Sequence, residues 1–369
     1  MTVDVATVTA VAADLAGKHG VPVQVTACRV GLSGASVFRV RMESGSTVAL
    51  KRLPAQVKLE RVREIHGVAD RLATCCRQLV NYLPFQSGDS LYRDGNRWWE
   101  ATQWRSGEPL PRSASESLIR AGAETIARTH GCASEVIGSR ESVPQAILDR
   151  IERTRVLDLQ LRRCGLVQGT SASVANRFSL EGRLAPDLAA ALVAATELLG
   201  SGWAAATDRF LPSLKRAARS AVVHYVLRDG HRENVLFDGD QVSGLIDLDA
   251  LRIDTPAIDV ARWVSGFFTG DSPNPGVGLA WDGEKDVSGR LNAVWNAATA
   301  GFASVQPLDE RTERTARLLL LCSAWITLAN WVVWLGIERR SFGVPQTDLA
   351  ERIDSVRTLV QEIPTRWED

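Results

Sequence analysis

Asp229, Asn234 and Asp247 are the residues of this chain best suited to work on a phosphate. They fall in one stretch, L-R-D-G-H-R-E-N-V-L-F-D-G-D-Q-V-S-G-L-I-D-L-D-A, running from Leu227 to Ala250. Asn234 opens an apolar run through Phe237, Asp238-Gly239-Asp240-Gln241 has turn composition, and a second apolar run from Val242 ends at Asp247. Two apolar runs around a D-G turn predict a β-hairpin. With Phe237 opposite Val242, Asn234 pairs near Leu245 and meets Asp247 at the open end, while Asp229 lies in the loop that enters the hairpin. An amide oxygen and two carboxylates are hard ligands suited to Mg²⁺, and a carboxylate beside such a cation can take the proton of a hydroxyl attacking phosphorus. The D-x-x-x-x-N spacing says little alone; the hairpin and its terminal Asp make it specific.

The preceding third of the chain supplies elements that could hold a phosphate donor. Asp4 to Lys18 has helical spacing, with Val5, Val8, Val11, Ala12 and Leu15 on one face. Strands are expected at Val23–Val30, Val37–Met42 and Thr47–Leu53. Between the first two lies Gly31-Leu32-Ser33-Gly34-Ala35-Ser36, whose small residues would let backbone N–H groups approach phosphates closely. If Met42 faces Thr47, Lys51 shares an apolar face with Phe38 and Val40, where an ammonium is costly to bury without an anionic partner. The helix expected over Lys58–Cys75 offers Glu60 and Glu64 as partners; Glu64, Val68 and Leu72 share a face, which favours Glu64. His66 is read as a surface or hydrogen-bonded histidine. Gln78–Pro84 and Arg97–Trp104 read as further strands.

Taken together, Asp229-x-His231-x-x-Asn234, Ile246-Asp247-Leu248, Asp259-Val260-Ala261 and the strand V-A-L-K ending at Lys51 resemble the aminoglycoside phosphotransferase and choline kinase family of small-molecule kinases. Leu227 stands where that pattern has a loop-supporting histidine. The resemblance covers most of residues 25–265. It implies an α+β, protein-kinase-like two-lobed fold: a small N-terminal lobe with an antiparallel sheet, residues 1–104, and a large, mainly helical C-terminal lobe, residues 105–369. It further implies ATP or GTP with Mg²⁺ as cofactors and transfer of the γ-phosphoryl group to a small-molecule hydroxyl. Asp229 would be the catalytic base, with Asn234 and Asp247 on the metal. Ser33, Gly34, Ala35 and Ser36 would cover the phosphates, Lys51 steadied by Glu64 would fix them, and Gln103 and Trp104 would meet an adenine through their backbone. Acceptors used by similar proteins include aminoglycosides, choline, homoserine and sugars, and fold cannot choose among them. The alternative is a nucleotide-binding, pseudokinase-like regulator without phosphotransfer.

The large lobe is expected to be helical. Ser113-x-x-Glu116 reads as a capping box opening a helix that ends near His130, itself read as structural. Pro144–Leu161 follows, with Arg153, Arg155, Arg162 and Arg163 expected in solvent. Leu188–Leu199 and Pro212–Ser220 read as two helices with a linker, Pro256–Phe268 as a helix whose Asp259 caps or braces the loop before it, and the chain from Asp309 as helix. Thr269–Gly289, with Asp271, Asp282, Glu284 and Asp286, could lie over an acceptor.

Composition sets the outer limits. The 369 residues carry no net charge and are 45% hydrophobic, which suits a two-lobed globular protein and gives no reason to expect nucleic acid as a partner. No basic and apolar leader opens the chain, so a cytoplasmic protein is expected, with its six scattered cysteines as free thiols. Leu318–Ile337 is long and apolar enough to span a bilayer, yet it contains Ser323, Thr327 and Asn330. A helix buried in the large lobe is the favoured reading, with no membrane partner expected.

Overall fold

Val40, Met42, Val48 and Leu50 are buried while their neighbours along each strand are less so, the period-2 pattern of a sheet covered on one face. The computed structural model describes residues 4–15, 19–28, 35–167, 184–269 and 287–363. These divide into two compact units. The first comprises residues 1–108, 236–250 and 342–344; the second comprises 109–235, 251–341 and 345–369. The architecture is α+β: an antiparallel sheet in the N-terminal region and helices in the C-terminal part.

In the first unit, β1 (Pro22–Ala27), β2 (Ser36–Met42), β3 (Thr47–Arg52), β4 (Leu91–Asp94) and β5 (Arg97–Gln103) form one sheet in the order β1-β2-β3-β5-β4, all pairs antiparallel. One face carries Phe38, Val40, Met42, Val48, Leu50, Trp99 and Ala101, which pack with Val8, Val11 and Ala12 of α1 (Val5–Ala13). The β2–β3 register differs by one residue from the expected one: Arg41, not Met42, faces Thr47, and Val37 faces Lys51. A one-residue slip exchanges the two faces of a strand. Lys51 therefore stands on the face opposite Phe38 and Val40. The other helix, α2 (Leu59–Ala73), buries His66, Val68, Ala69 and Leu72.

The expected hairpin is present as strands Val235–Asp238 and Gln241–Leu245, with Gly239 at φ 58° in the turn. Its second strand is tied to the first unit by backbone bonds: Leu245 N–H donates to Gln78 O at 2.7 Å, and Val80 N–H donates to Leu245 O at 3.2 Å. Gln78–Pro84 itself is no regular strand; it makes only isolated bridges, Leu79 to Leu245 and Tyr82 to Thr102. Cys28 and Cys76 are outside any disulfide, as expected, whereas Cys75, expected as a thiol, is disulfide-bonded.

The second unit is built on helices. α3 (Glu116–Val136) is capped by Ser115, whose hydroxyl accepts from Leu118 N–H, rather than by Ser113. Gly122 on α3 is where the Trp263 indole lies flush against the helix; a Cβ there would overlap the ring. Trp263 belongs to α6 (Ala257–Ser265) and anchors its indole N–H on Ile119 O at 3.0 Å. The two helices expected around Pro212 are one continuous helix, α5 (Pro186–Ala217), with Pro212 inside it. α4 (Gln145–Arg163), α7 (Val287–Ala303), α8 (Glu310–Trp331, continued as a π turn to Ile337) and α9 (Gln346–Glu362) complete the unit. A short sheet pairs Arg140–Ser142, Ala221–Val226 and Arg252–Asp254. Among the described residues two helices are long and apolar enough to cross a membrane; 78% of the apolar stretch in Glu310–Ile337 is buried within the protein, as a core helix is, against 39% in Pro186–Ala217. Cys164 and Cys322 are outside any disulfide, and Cys132, expected as a thiol, is disulfide-bonded.

His224, on Ala221–Val226, is 3% exposed, and its Nε2 has no hydrogen-bond partner among the described residues. Burial, reinforced by His130 with its ring 5.2 Å away, lowers its pKa to about 3. The unfolded chain takes up this proton near pH ~6.5, and the folded chain refuses it until about pH 3. Stability is thus intact above the unfolded value and falls as pH drops through this window, by up to about 1.4 kcal/mol per pH unit from this one group. Urea unfolding from neutral pH down to the low fours is expected to show a shallower acid loss in His224→Gln than in the wild type. Parallel curves would show that His224 is not the residue responsible.

Candidate active site

The first unit concentrates charge around Lys51. β3 places its Cα opposite Glu100 of β5, and the Lys51 side chain is only 13% exposed. Its Nζ lies 2.7 Å from Asp249 Oδ2, 2.8 Å from Asp247 Oδ1 and 3.8 Å from Glu100 Oε1. The partner proposed from sequence is elsewhere: Glu64 Oε2 is 2.9 Å from Arg61, with its side chain 47% exposed. The helix contributes His66 instead. Its Nε2 is 3.0 Å from Glu100 Oε2, its Nδ1 is 2.7 Å from Ser90 Oγ, and its ring stacks on Tyr82. His66 is therefore a buried, hydrogen-bonded residue and not a surface one. The anchor for Lys51 comes from the neighbouring strand, at a position a single-strand reading has no means of pairing with it.

One ammonium thus faces three carboxylates. Burial works to strip Lys51 of its charge, but Glu100, Asp249 and Asp247 outweigh it and hold the pKa above the usual lysine value. Burial and the neighbouring carboxylates raise Asp249, although Lys51 pulls it down. Burial and the same three acids push the Tyr82 phenol well up. The surplus of negative charge and the half-exposed oxygens of Asp247 and Asp249 fit a hard divalent cation. Among the described residues no cluster of three or more His, Cys, Asp or Glu side chains is arranged to hold a metal alone. A cation here would be completed by phosphate and water oxygens, as Mg²⁺ commonly is. Asp247 itself has φ 56°, a left-handed conformation unusual outside glycine and frequent at functional turns.

Of the remaining residues expected around a nucleotide, Ser33 and Gly34 lie outside the described residues. Ala35 is buried, and Ser36 starts β2 with its hydroxyl 3.3 Å from the Arg52 guanidinium. The backbone N–H groups of Gln103 and Trp104 are already used, donating to Asn81 O at 3.3 Å and Thr47 O at 3.1 Å. Neither N–H is therefore available to a base. The acidic segment beyond Thr269, with Asp271, Asp282, Glu284 and Asp286, also lies outside the described residues.

In the second unit the loop Leu227–Asn234 is held from several directions. Asp229 Oδ1 accepts from Arg262 Nε at 2.8 Å, while among the described residues Oδ2 has only His231 Nε2 near it, at 3.7 Å. Burial alone would raise the Asp229 carboxyl, but Arg262 and His231 bring it below the ordinary carboxylate value. His231 is lowered by burial and by Arg262, so it is neutral near pH 7. Its Nδ1 accepts from Glu233 N–H at 3.2 Å, which leaves the proton on Nε2, facing Asp229. The Asn234 side-chain NH₂ donates to Asp229 O at 3.0 Å, which leaves its amide oxygen as the atom that could ligate a metal. Arg232, which gave no signal in the sequence, is 1% exposed and bonds Leu110 O and Gly266 O, both at 2.8 Å.

The departure at Leu227 has a structural counterpart. Asp259 is fully buried, and its Oδ2 accepts both Leu227 N–H and His130 Nε2, each at 2.8 Å. Asp259 thus braces the loop through its backbone and does not cap its own helix, and the imidazole comes from α3.

The model of the phosphotransferase enzyme family (APH) matches residues 25–291. The chain belongs to this family. Its members are small-molecule kinases, and the chain is accordingly a phosphotransferase acting on a small molecule. Comparison with curated proteins gives no match. Among solved structures, a spectinomycin phosphotransferase bound to ADP and spectinomycin superposes with TM-score 0.61 at 11% identity, over 100% of both chains. An amicoumacin kinase in complex with AMP-PNP, Ca²⁺ and Ami gives 0.61 at 12%, over 96% of this chain and 94% of that one. A microcompartment-associated aminopropanol kinase gives 0.55 at 13%, over 97% of each. Identities this low establish a shared fold.

Glu100 and Glu64 can be separated by their effects on stability. Glu100→Gln removes a buried charge on which both Lys51 and His66 depend and is expected to cost about 2 kcal/mol or more. Glu64→Gln alters an exposed ion pair and should stay within about 0.5 kcal/mol. Chemical unfolding of the two variants checks this; equal effects would reject Glu100 as the Lys51 anchor.

Proposed function

We propose that the chain transfers the γ-phosphoryl group of ATP or GTP to the hydroxyl of a small molecule, with Mg²⁺. The observation that carries this is Asp229: a carboxylate held ionised by Arg262, with Oδ2 free of hydrogen bonds among the described residues, on a loop that also carries Asn234. In this reading the acceptor hydroxyl oxygen forms a bond to the γ-phosphorus while the bridging β–γ O–P bond breaks, and the hydroxyl proton passes to Asp229 Oδ2. Mg²⁺, when bound, offsets charge on the phosphates; Asn234 and Asp247 are its proposed ligands. Lys51 binds donor phosphates, released from Asp247 and Asp249, whose half-exposed oxygens hold it loosely. Ser33, Gly34, Ala35 and Ser36 are proposed to approach the phosphates. Residues 1–104 would bind nucleotide and residues 105–369 the acceptor, in a cytoplasmic enzyme.

Asp229→Asn keeps the shape of the base and loses its basicity. Turnover should fall by about 10²–10⁴, with nucleotide affinity unchanged. Full activity in this variant would reject Asp229 as the base. Nucleotide with Mg²⁺ at a hundredfold excess over its dissociation constant should stabilise the wild type by about 2.7 kcal/mol. Asp247→Ala should abolish the Mg²⁺-dependent part of that gain, as read by thermal unfolding with and without EDTA. Stabilisation without turnover on any acceptor would favour a regulatory protein.

A further inference from the structure

A cavity of about 310 Å³ in the second unit adjoins Asp229 through Arg262, and its wall is unusually cationic. Arg150, Arg153, Arg228 and Arg262 all line it, with Asp149 as the only lining carboxylate among the described residues. Asp229 and Asp254 sit just behind the wall. These three acids are all engaged by two of the arginines. Arg228 Nη2 is 2.8 Å from Asp149 Oδ2 and its Nε 3.6 Å from Asp254 Oδ2; Arg262 holds Asp229. Burial also raises Asp254 toward its neutral form.

Arg150 and Arg153 are left without a carboxylate within ion-pair distance among the described residues. Arg150 Nε donates to Ser323 Oγ at 2.9 Å and its Nη1 to Ala146 O at 2.9 Å. Arg153 donates to Asn330 Oδ1 from Nε at 2.8 Å and from Nη2 at 2.5 Å. Expected in solvent, Arg153 is instead half-buried between α4 and α8. Three residues apart on α4, the two guanidiniums point the same way. The polar residues that interrupt the apolar run Leu318–Ile337 explain themselves here: Ser323 and Thr327 line the cavity and Asn330 orients Arg153. Neutral oxygens position guanidiniums without neutralising them. Two half-buried guanidiniums with no ion-pair partner among the described residues, facing a cavity, are a costly arrangement that an oxyanion would complete. The rest of the lining includes Ile258, Ala261, Ala324, Val356 and Leu359, a wall for a carbon skeleton.

We propose that this cavity binds the acceptor and that the acceptor is an alcohol carrying an oxyanion, a carboxylate or phosphate group, rather than a polycationic alcohol. The proposal rests on the phosphotransferase reading above. The acid group would lie on Arg150 and Arg153 and the hydroxyl toward Asp229, with the bonds made and broken as already described.

Three-carbon alcohols that differ only in charge make the test: glycerate and glycerol 3-phosphate as anions, glycerol as the neutral form, 3-amino-1,2-propanediol as the cation. Thermal unfolding is followed with saturating Mg-AMP-PNP, so that donor-phosphate positions are filled, with matched sodium chloride as the ionic control. At least one anion is expected to stabilise the wild type where the neutral and cationic probes do not, and the stronger anion tells carboxylate from phosphate. Arg153→Gln, whose amide can keep the Asn330 contact, and Arg150→Met should each weaken that anion roughly tenfold or more while leaving the Mg-AMP-PNP shift intact. Arg153→Gln decides the matter if Arg150→Met does not fold. The proposal is overturned if no anion stabilises at tens of millimolar, if the anion effect survives in Arg153→Gln, or if the amino alcohol or the aminoglycoside tobramycin binds instead. A normal Mg-AMP-PNP response without an anion response removes this proposal alone. An anion response without any nucleotide response removes the phosphotransfer reading and leaves an anion-binding cavity.

Discussion

The ammonium of Lys51 sets the terms for the first unit. Moving a lysine out of water is expensive, and the cost is bearable only where carboxylates surround it. Three do, and they differ in kind. Glu100 is buried and held by His66, so it is a fixed counter-charge 3.8 Å from the ammonium. Asp247 and Asp249 are half-exposed and arrive from a segment more than a hundred residues away in sequence, the end of the hairpin that joins this unit. A lysine held by one rigid and two yielding partners can exchange the yielding ones for phosphate oxygens without leaving its place. Asp247 takes up a left-handed backbone conformation to reach this position. That cost, set against the tight strand pairing of Leu245 just before it, marks the turn as built for its carboxylate.

Local patterns were legible in the sequence, and cross-element pairing was not. The hairpin, the loop carrying Asp229 and Asn234, and most helices follow from turn composition and helical spacing, which depend on neighbours in the chain. The face of Lys51 depends on a register that one residue reverses, and placing Met42 opposite Thr47 put the lysine on the wrong side. Glu100 as its anchor requires knowing that Lys51 and Glu100 lie opposite each other on adjacent strands, and that pairing spans the whole of α2. Glu64 satisfied a helical-face argument equally well and turned to Arg61. Pro212 reads as a break between two helices, yet tertiary packing keeps α5 continuous across it. Arg232 carries no signal at all, since nothing in its neighbours announces that two carbonyls will be waiting for its guanidinium.

The loop around Asp229 shows how a motif can lose one member and keep its geometry. A histidine at position 227 would have offered an imidazole to the loop. With leucine there, the same need is met by a buried carboxylate that grips the backbone N–H of Leu227 and is itself gripped by His130 from α3. The side chain at 227 is then free to be apolar, and Leu227 is buried accordingly. What the loop requires is a fixed backbone, and a main-chain hydrogen bond fixes it independently of the residue's identity.

Acceptor choice is a separate matter from fold, and here charge is the discriminating quantity. Chains that superpose well can enclose cavities of opposite sign, because cavity-lining residues contribute little to the packing that defines the fold. In this chain α8 shows both roles on one helix. Leu319, Leu320 and Leu328 are buried in the core, whereas Ser323, Thr327 and Asn330 recur at intervals of four and three and so share one face. Had that face been apolar, Arg153 would have lost its acceptor and Arg150 would have kept only the Ala146 carbonyl, and both would have been driven toward water. Had it carried aspartates, they would have been neutralised. Neutral acceptors at those positions hold the two guanidiniums in place with their charge unspent, and a held, unspent charge is what recognises an anion.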